Sequence, residues 1–228
     1  MTPAERVALW ADRLRDISAM GLHFSKNFHD LEAFRAVQTI AMEMMALATG
    51  ASFEALEPLR ASVFARPTPV ATGDAAVINA DGRILLIQRA DNGKWAMPGG
   101  ALEVGETPAE GVEREALEET GVPCRAVSLV GGFDSRFCGS QSSHHLYQFV
   151  FLCEPLADMG LEEPSHAVEV MEAGWFPEDG LPEDLDPGHV TRIPEAFRVW
   201  HGDQRVFFDG SHTGFAPLNS HPKGLSEL

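Results

Sequence analysis

Residues 100–122 read GALEVGETPAEGVEREALEETGV. Within them Thr107, Pro108 and Glu110 supply an N-cap, a proline at the first helical position and a capping-box acid, so a helix starts there. Gly121 closes it, because glycine takes the left-handed conformation that ends helices without a steric penalty. The helix carries Arg114, Glu115, Glu118 and Glu119, and offsets of three and four place the glutamates along one side. Carboxylates massed on one face repel one another unless something cationic sits among them. An all-oxygen cluster suits Mg²⁺ or Mn²⁺ better than zinc. Glu115, Glu118 and Glu119 are therefore the candidate metal ligands. Arg114 can hold a neighbouring carboxylate in a two-pronged hydrogen bond and so fix the ligand geometry. Just upstream, Pro98-Gly99-Gly100 puts permissive backbone where the carbonyl of Gly100 can approach the ion.

The full pattern resembles the signature of the Nudix hydrolases, G-x5-E-x7-R-E-U-x-E-E-x-G-U. Gly100, Glu106, Arg114, Glu115, Glu118, Glu119 and Gly121 stand in register, with Ala116 and Val122 at the aliphatic positions. Ala116 is smaller than the usual Leu, Ile or Val, a departure that bears on packing and not on chemistry. ILLIQRADNGKWAMPGG (84–100) and EAGWFPEDGLPEDL (172–185) look like the family's flanking strands, so the resemblance covers about residues 72–200. It implies an α/β fold, an α/β/α sandwich with a mixed sheet, and metal-dependent hydrolysis of a diphosphate bond by water. One acid must take the proton of that water, and the candidates are Glu118 or a loop acid outside the helix. Glu169 and Glu172 lie just before Trp175, where relatives carry an additional acidic residue.

Outward from this core, Ala75–Ala80 and Arg83–Arg89 are strand-like runs joined at Asp81-Gly82, a dipeptide suited to a tight hairpin. Further strands are expected at Trp95–Met97, Ala126–Val130, Leu146–Cys153 and Ala173–Phe176, and a last helix at Thr191–Trp200. Residues 65–73, ARPTPVATG, read as a linker. Before them the chain reads as helical. Thr2, Pro3 and Glu5 open an amphipathic helix with Val7, Trp10, Leu14 and Ile17 as its stripe, ending at Gly21. A second begins near Asp30, carries Leu31, Phe34, Val37, Ile40, Met44 and Leu47, and ends at Gly50. A short third runs from Ser52 until Pro58 disturbs it. The expected organisation is a helical domain at 1–66, the hydrolase domain at 67–205, and a tail at 206–228, mostly disordered for want of periodicity. Two or three helices make a poor core of their own. They are expected to pack on the rest of the chain or on a second copy, giving a homodimer. The helical front end and the ending RVFFD resemble a bacterial subgroup that hydrolyses nucleoside diphosphates linked to another group, ADP-ribose and CDP-choline types included.

Composition limits the alternatives. With 228 residues, 44% hydrophobic and 22% charged, the chain is long and apolar enough for a buried core, which excludes whole-chain disorder. Lys and Arg number 17 against 34 Asp and Glu, a net charge of −17, and no basic stripe offsets it. Nucleic acid and anionic membranes are therefore not expected partners. Cys124, Cys138 and Cys153 cannot pair fully and show no C-x-x-C spacing. No stretch resembles a signal peptide or a spanning helix, so a cytoplasmic location is expected.

Specificity is less legible. Arg89 at a strand end and Arg136 in FDSRF are candidate phosphate contacts, and Trp95 or Phe133 could stack a base or belong to the core. His144 and His145 lack partners at ligand spacing and are not expected to bind metal. Three functions fit: cleavage of a nucleoside diphosphate joined to a sugar or alcohol, cleavage of oxidised or other nucleoside triphosphates, and ligand sensing without catalysis. The intact carboxylates weigh against the third, and the helical front end favours the first.

Overall fold

Thr2 starts the first helix as its spacing requires. Its hydroxyl accepts the N–H of Glu5, whose carboxylate accepts the N–H of Thr2. The fold is seen in a computed structural model that describes residues 2–65, 69–140, 145–156, 164–165 and 168–210. Helix α1 (Pro3–Phe24) runs past Gly21 instead of stopping there. A Cβ on Gly21 would lie 2.3 Å from the Phe34 ring, so this glycine serves the close approach of α2 (Phe28–Thr49) and not a cap. Asn27 caps α2 through the N–H of His29, and Gly50 ends it at φ 71°. After α3 (Phe53–Leu56), Arg60–Phe64 forms a π-helical turn.

This layer holds a small core of Ala41, Met42 and Phe64, backed by Leu14, Met45, Phe53 and Leu56. The expected stripes face it only in part. Small residues such as Ala11, Ser18 and Ala41 occupy the helix crossing, while Trp10, Ile17, Ile40 and Leu47 remain 49%, 53%, 48% and 77% exposed. Helix α1 also rests on the mixed-sheet part of the chain. Arg13 pairs with Glu103 at 2.5 Å, and Leu9 lies 3.0 Å from where a Cβ on Gly105 would sit.

The remainder runs β1 (Val70–Val77), β2 (Arg83–Arg89), β3 (Trp95–Ala96), β4 (Gly99–Ala101), α4 (Pro108–Thr120), β5 (Cys124–Asp134), β6 (Leu146–Pro155), β7 (Val170–Pro177), α5 (His189–Trp200) and β8 (Phe207–Phe208). One sheet has the order β4-β1-β6-β5-β8 and the other β3-β2-β7. The first is mixed, since β1–β6 and β5–β8 are parallel and β1–β4 and β5–β6 antiparallel. Alternation sends Ala75, Val77 and Leu85 to Val112 and Ala116 of α4, and Ala76, Ile78, Ile84 and Leu86 to Ile193, Ala196 and Phe197 of α5. The result is the expected α/β/α sandwich, and Ala116 is fully buried at its crowded position.

Three expectations are corrected. Residues 70–73 are strand, not linker: β1 is paired along its length with β6, and Gly73 admits Val112 of α4, which a Cβ would meet at 2.5 Å. The Asp81-Gly82 turn forms, with Asn79 accepting the N–H groups of Asp81 and Arg83, yet it closes no regular hairpin. Both edges of β1 are filled by β4 and β6, so β2 leaves after one bridge, Ile78–Ile84, and enters the other sheet. Phe207 and Phe208, assigned to the 206–228 tail ahead of its disordered stretch, belong to the sheet instead: they pair with Gly131 and Gly132, and Phe207 stacks on Phe133 with ring centroids 4.4 Å apart. Residues 211–228 lie outside the described residues.

Beneath the sheet, Arg192 of α5 is 1% exposed. It pairs with Asp74 of β1 and donates through Nε to the carbonyl of Gly188 at 2.7 Å. Removing one partner of a buried pair leaves the other uncompensated. Arg192→Met should lower unfolding free energy by about 3–5 kcal/mol in urea titration; a change under about 1 kcal/mol would show that the pair does not hold the layers together.

Candidate active site

Helix α4 begins with Thr107 accepting the N–H of Glu110 while the Glu110 carboxylate accepts that of Thr107, and it ends at Gly121 with φ 69°. These caps fix the helical phase, which turns Glu115 and Glu119 inward, both buried. Arg114 sits among the acids. Its Nε and Nη2 grip both oxygens of Glu106 at 3.0 and 2.9 Å, its Nη1 reaches Glu115 at 2.8 Å and Glu118 at 3.0 Å, and Nη2 also meets the carbonyl of Ala101 at 3.3 Å. Glu106 above all, then Glu115 and Glu118, raise the Arg114 pKa beyond its ordinary value. In return Arg114 holds the Glu106 carboxyl below the usual range.

The glycines meet the acids from the other side. The N–H of Gly99 donates to Glu119 at 2.8 Å. A Cβ on Gly100 would stand 2.8 Å from the Glu115 carboxyl carbon, and one on Gly99 2.2 Å from the carbonyl of Gly73. No larger residue fits at either place without displacing strand or carboxylate. A cavity of about 530 Å³ opens here, lined by Arg89, Asp91, Gly99, Gly100, Glu119 and Glu169 among others. Burial pushes the Glu119 carboxyl up to about 8; Glu115 and Glu169 add to the rise, and the Gly99 N–H and Arg89 oppose it.

Of the sequence candidates, Arg89, Gly100, Glu119 and Glu169 share this cavity, with Glu115 beside Gly100 and with Arg114 and Glu118 on the same helix. Arg89 is held by Asp91 through two bonds of 3.0 and 2.7 Å. Glu172 lies opposite Gln88, and alternation from Trp175, which packs on the α4 side, puts it on the other face and exposed. Arg136 is bound to Asp134 and lines a different cavity with Tyr147, Phe149 and Phe208. Phe133 is buried under Phe207, so it belongs to the core and cannot stack a base; Trp95 packs edge-on against Phe176. His145 hydrogen-bonds Asp134 at 3.1 Å, and His144 is outside the described residues.

Among the described residues no three acids, histidines or cysteines form a ready metal cage, because Glu115 and Glu118 turn oxygens to Arg114 and Glu119 accepts from Gly99. The donor set nevertheless fits a hard divalent cation. Its atoms are all oxygen, two of the carboxylates are buried, and Glu119 is forced toward protonation by burial and like charge, which a cation would relieve. Residues that sequence reasoning missed support this site from below: Asp74, which falls between the expected linker and the strand expected from Ala75, and His189 and Arg192 of α5. Arg192 also donates to the Gln148 amide oxygen, turned to face it, at 3.1 and 3.3 Å. A lone arginine or histidine in a helical run carries no local signal of its burial.

Comparison with known proteins places this geometry. The NUDIX domain family matches residues 68–196, and the family described as UDP-X-like, N-terminal oligomerisation domain matches residues 5–59. Over 204 residues the chain is 30% identical to YjhB of Bacillus subtilis (strain 168), provisionally named an ADP-ribose pyrophosphatase, covering 87% of this chain and 95% of that one. It is 34% identical over 129 residues to the ADP-ribose pyrophosphatase of Methanocaldococcus jannaschii, covering 55% of this chain and 72% of the relative. A crystal structure of a UDP-X diphosphatase superposes with a TM-score of 0.55 at 26% identity, over 90% of this chain and all (100%) of the other.

The raised Glu119 carboxyl has a consequence for metal-free protein. Its folded pKa of about 8 lies above the ordinary 4.5, so between those values the native state keeps a proton that the unfolded chain has released. This contribution to stability is complete below the unfolded pKa and is lost as pH rises through the folded one. In EDTA, the melting temperature should fall from about pH 5.5 to about pH 8 more in wild type than in Glu119→Gln. Equal falls would show that Glu119 does not titrate in this window.

Proposed function

Because the chain belongs to the Nudix family of hydrolases, we propose that it splits the diphosphate bond of a nucleoside diphosphate linked to a second group, an ADP-ribose, nucleotide sugar or CDP-alcohol, into two monophosphates. The observation that carries this reading is the cavity in which Arg89 and the Gly99-Gly100 backbone face Glu119 and Glu169, with the remaining signature acids held by Arg114 beside it. Likeness along nearly the whole chain, helical front end included, to proteins named for ADP-ribose and UDP-X supports the diphosphate class over triphosphates.

Glu115, Glu118 and Glu119, with the Gly100 carbonyl, would hold the metal; their oxygens suit Mg²⁺ or Mn²⁺. When bound, such an ion supplies the positive charge that a polyanionic diphosphate needs beside so acidic a protein. Arg114 orients Glu115 and Glu118, and Arg89 offers its guanidinium to a phosphate oxygen. Water attacks one phosphorus, the bridging P–O bond breaks, and the departing group leaves as a phosphate monoester. Glu169 accepts the proton of that water, a role supported by its position in the Glu119 cavity and by the engagement of Glu118 with Arg114. A cytoplasmic location is consistent with three free thiols and with the lack, among the described residues, of a helix able to cross a membrane.

We further infer that the exposed apolar residues of α1 and α2 join two copies in a homodimer, in keeping with the oligomerisation family matched there. Light scattering should give about twice 24.8 kDa, and the double change Ile40→Glu and Leu47→Glu should return the mass to that of one chain. A wild-type mass near one chain at micromolar concentration would refute the dimer.

Glu119→Gln and Glu169→Gln should each lower kcat by about 10²–10⁴-fold with the fold intact. On a panel of ADP-ribose, CDP-choline, nucleotide sugars and triphosphates, phosphorus NMR should show two monophosphates, with no orthophosphate or pyrophosphate. A triphosphate turned over about a hundredfold more efficiently than every diphosphate would replace the proposed substrate class.

A further inference from the structure

Residues 97–100 are tied to three parts of the molecule. The Met97 N–H donates to Nδ1 of His189 at 3.2 Å, and the Pro98 carbonyl accepts the N–H of Ala75 at 2.9 Å. Gly99 donates to Glu119 at 2.8 Å, and Gly100 lies against Glu115. Two of these four ties therefore lead to the acids of α4, one leads to β1, and one leads to α5 on the opposite side of the sheet. His189 is the first residue of α5 and buried. Arg192, one turn on, anchors that helix to Asp74, the residue paired with Gly99 across β1 and β4. Burial and the charges of Arg192 and Arg89 hold the imidazole well below its ordinary pKa. A neutral ring has one acceptor nitrogen, and the Met97 N–H identifies it as Nδ1.

We propose that His189 is a positioning residue for the metal-binding acids: by accepting the Met97 N–H it sets the place of Pro98–Gly100, and through them the Gly99–Glu119 bond and the seat of Glu115. The physical reason is rigidity. The Gly99-Gly100 pair is the most permissive backbone in the site, and the residue two positions before it is anchored to α5 by an imidazole nitrogen. Without that acceptor the Met97 N–H is buried unpaired, and the segment shifts to satisfy it elsewhere.

The inference rests on the metal-dependent reading, and two isosteres test it separately from that reading. His189→Asn places an amide oxygen where Nδ1 stands, whereas His189→Gln carries its amide at the position of Nε2. Mn²⁺ affinity measured without substrate, by electron paramagnetic resonance, should stay within about threefold of wild type in His189→Asn and weaken about tenfold or more in His189→Gln. The kcat should follow the same order, with the KM for ADP-ribose changed less than about threefold and matching melting temperatures in the two variants. Equal Mn²⁺ affinity in the two variants, or an Asn variant as weak as the Gln variant, would overturn the positioning role. A wild-type protein that binds no Mn²⁺ would instead overturn the metal-dependent reading itself.

Discussion

The site depends on one guanidinium. Arg114 has five N–H donors in a rigid fork, and Glu106, Glu115, Glu118 and the Ala101 carbonyl occupy that fork. Without it, the acids of α4 would face one another across a poorly solvated face, and the helix would turn them apart to water. With it, Glu106 is drawn in from the preceding loop, so that loop closes over the helix start. Glu115 is turned toward Gly100, and Glu119 is left facing Arg89 and Glu169. The spacing of the signature is thus a statement about where one planar cation can reach.

The same loop carries a second load. Glu103 meets Arg13 of α1, and Gly105, at φ 101°, admits Leu9. The Arg13–Glu103 pair is half exposed and worth at most about 1 kcal/mol, so the apolar seat of Leu9 does more to fix α1. The helical layer therefore touches the segment between Gly100 and Glu106, the stretch whose shape Arg114 needs. A partner copy gripping α1 and α2 would damp motion of this loop through packed side chains, without any residue of the layer entering the cavity.

What the sequence revealed, and what it concealed, divides along physical lines. Caps and turns are local, so Thr107, Glu110 and Gly121 bound α4 as read, and the β2–β3 hairpin follows from its own residues. The α4 acids and Arg114 were legible because a helix converts spacing into direction. Contacts that depend on which strand lies beside which were not. Gly21 reads as a stop because glycine ends helices, yet it is needed by Phe34 of another helix. Gly73 reads as linker, yet it is needed by Val112. Trp10 and Ile17 form a convincing stripe, but the crossing is made by the smaller residues beside them, which let two backbones come closer. His189 and Arg192 were invisible as site residues because only the sandwich shows that α5 lies under the glycines.

The parallel pairing of β1 with β6 has a consequence for the newborn chain. Two parallel neighbours cannot be joined by a tight turn, so β1 stays without that partner until residues 146–155 have been made. Asp74 then waits longer, for a counter-charge 118 positions downstream at Arg192. Such long-range closures slow folding and leave strand edges open in the interim. The glycines that meet Glu115 and Glu119 are thus the last part of the site to be secured. A ribosome that stalls before residue 192 would hold a complete signature with no floor beneath it.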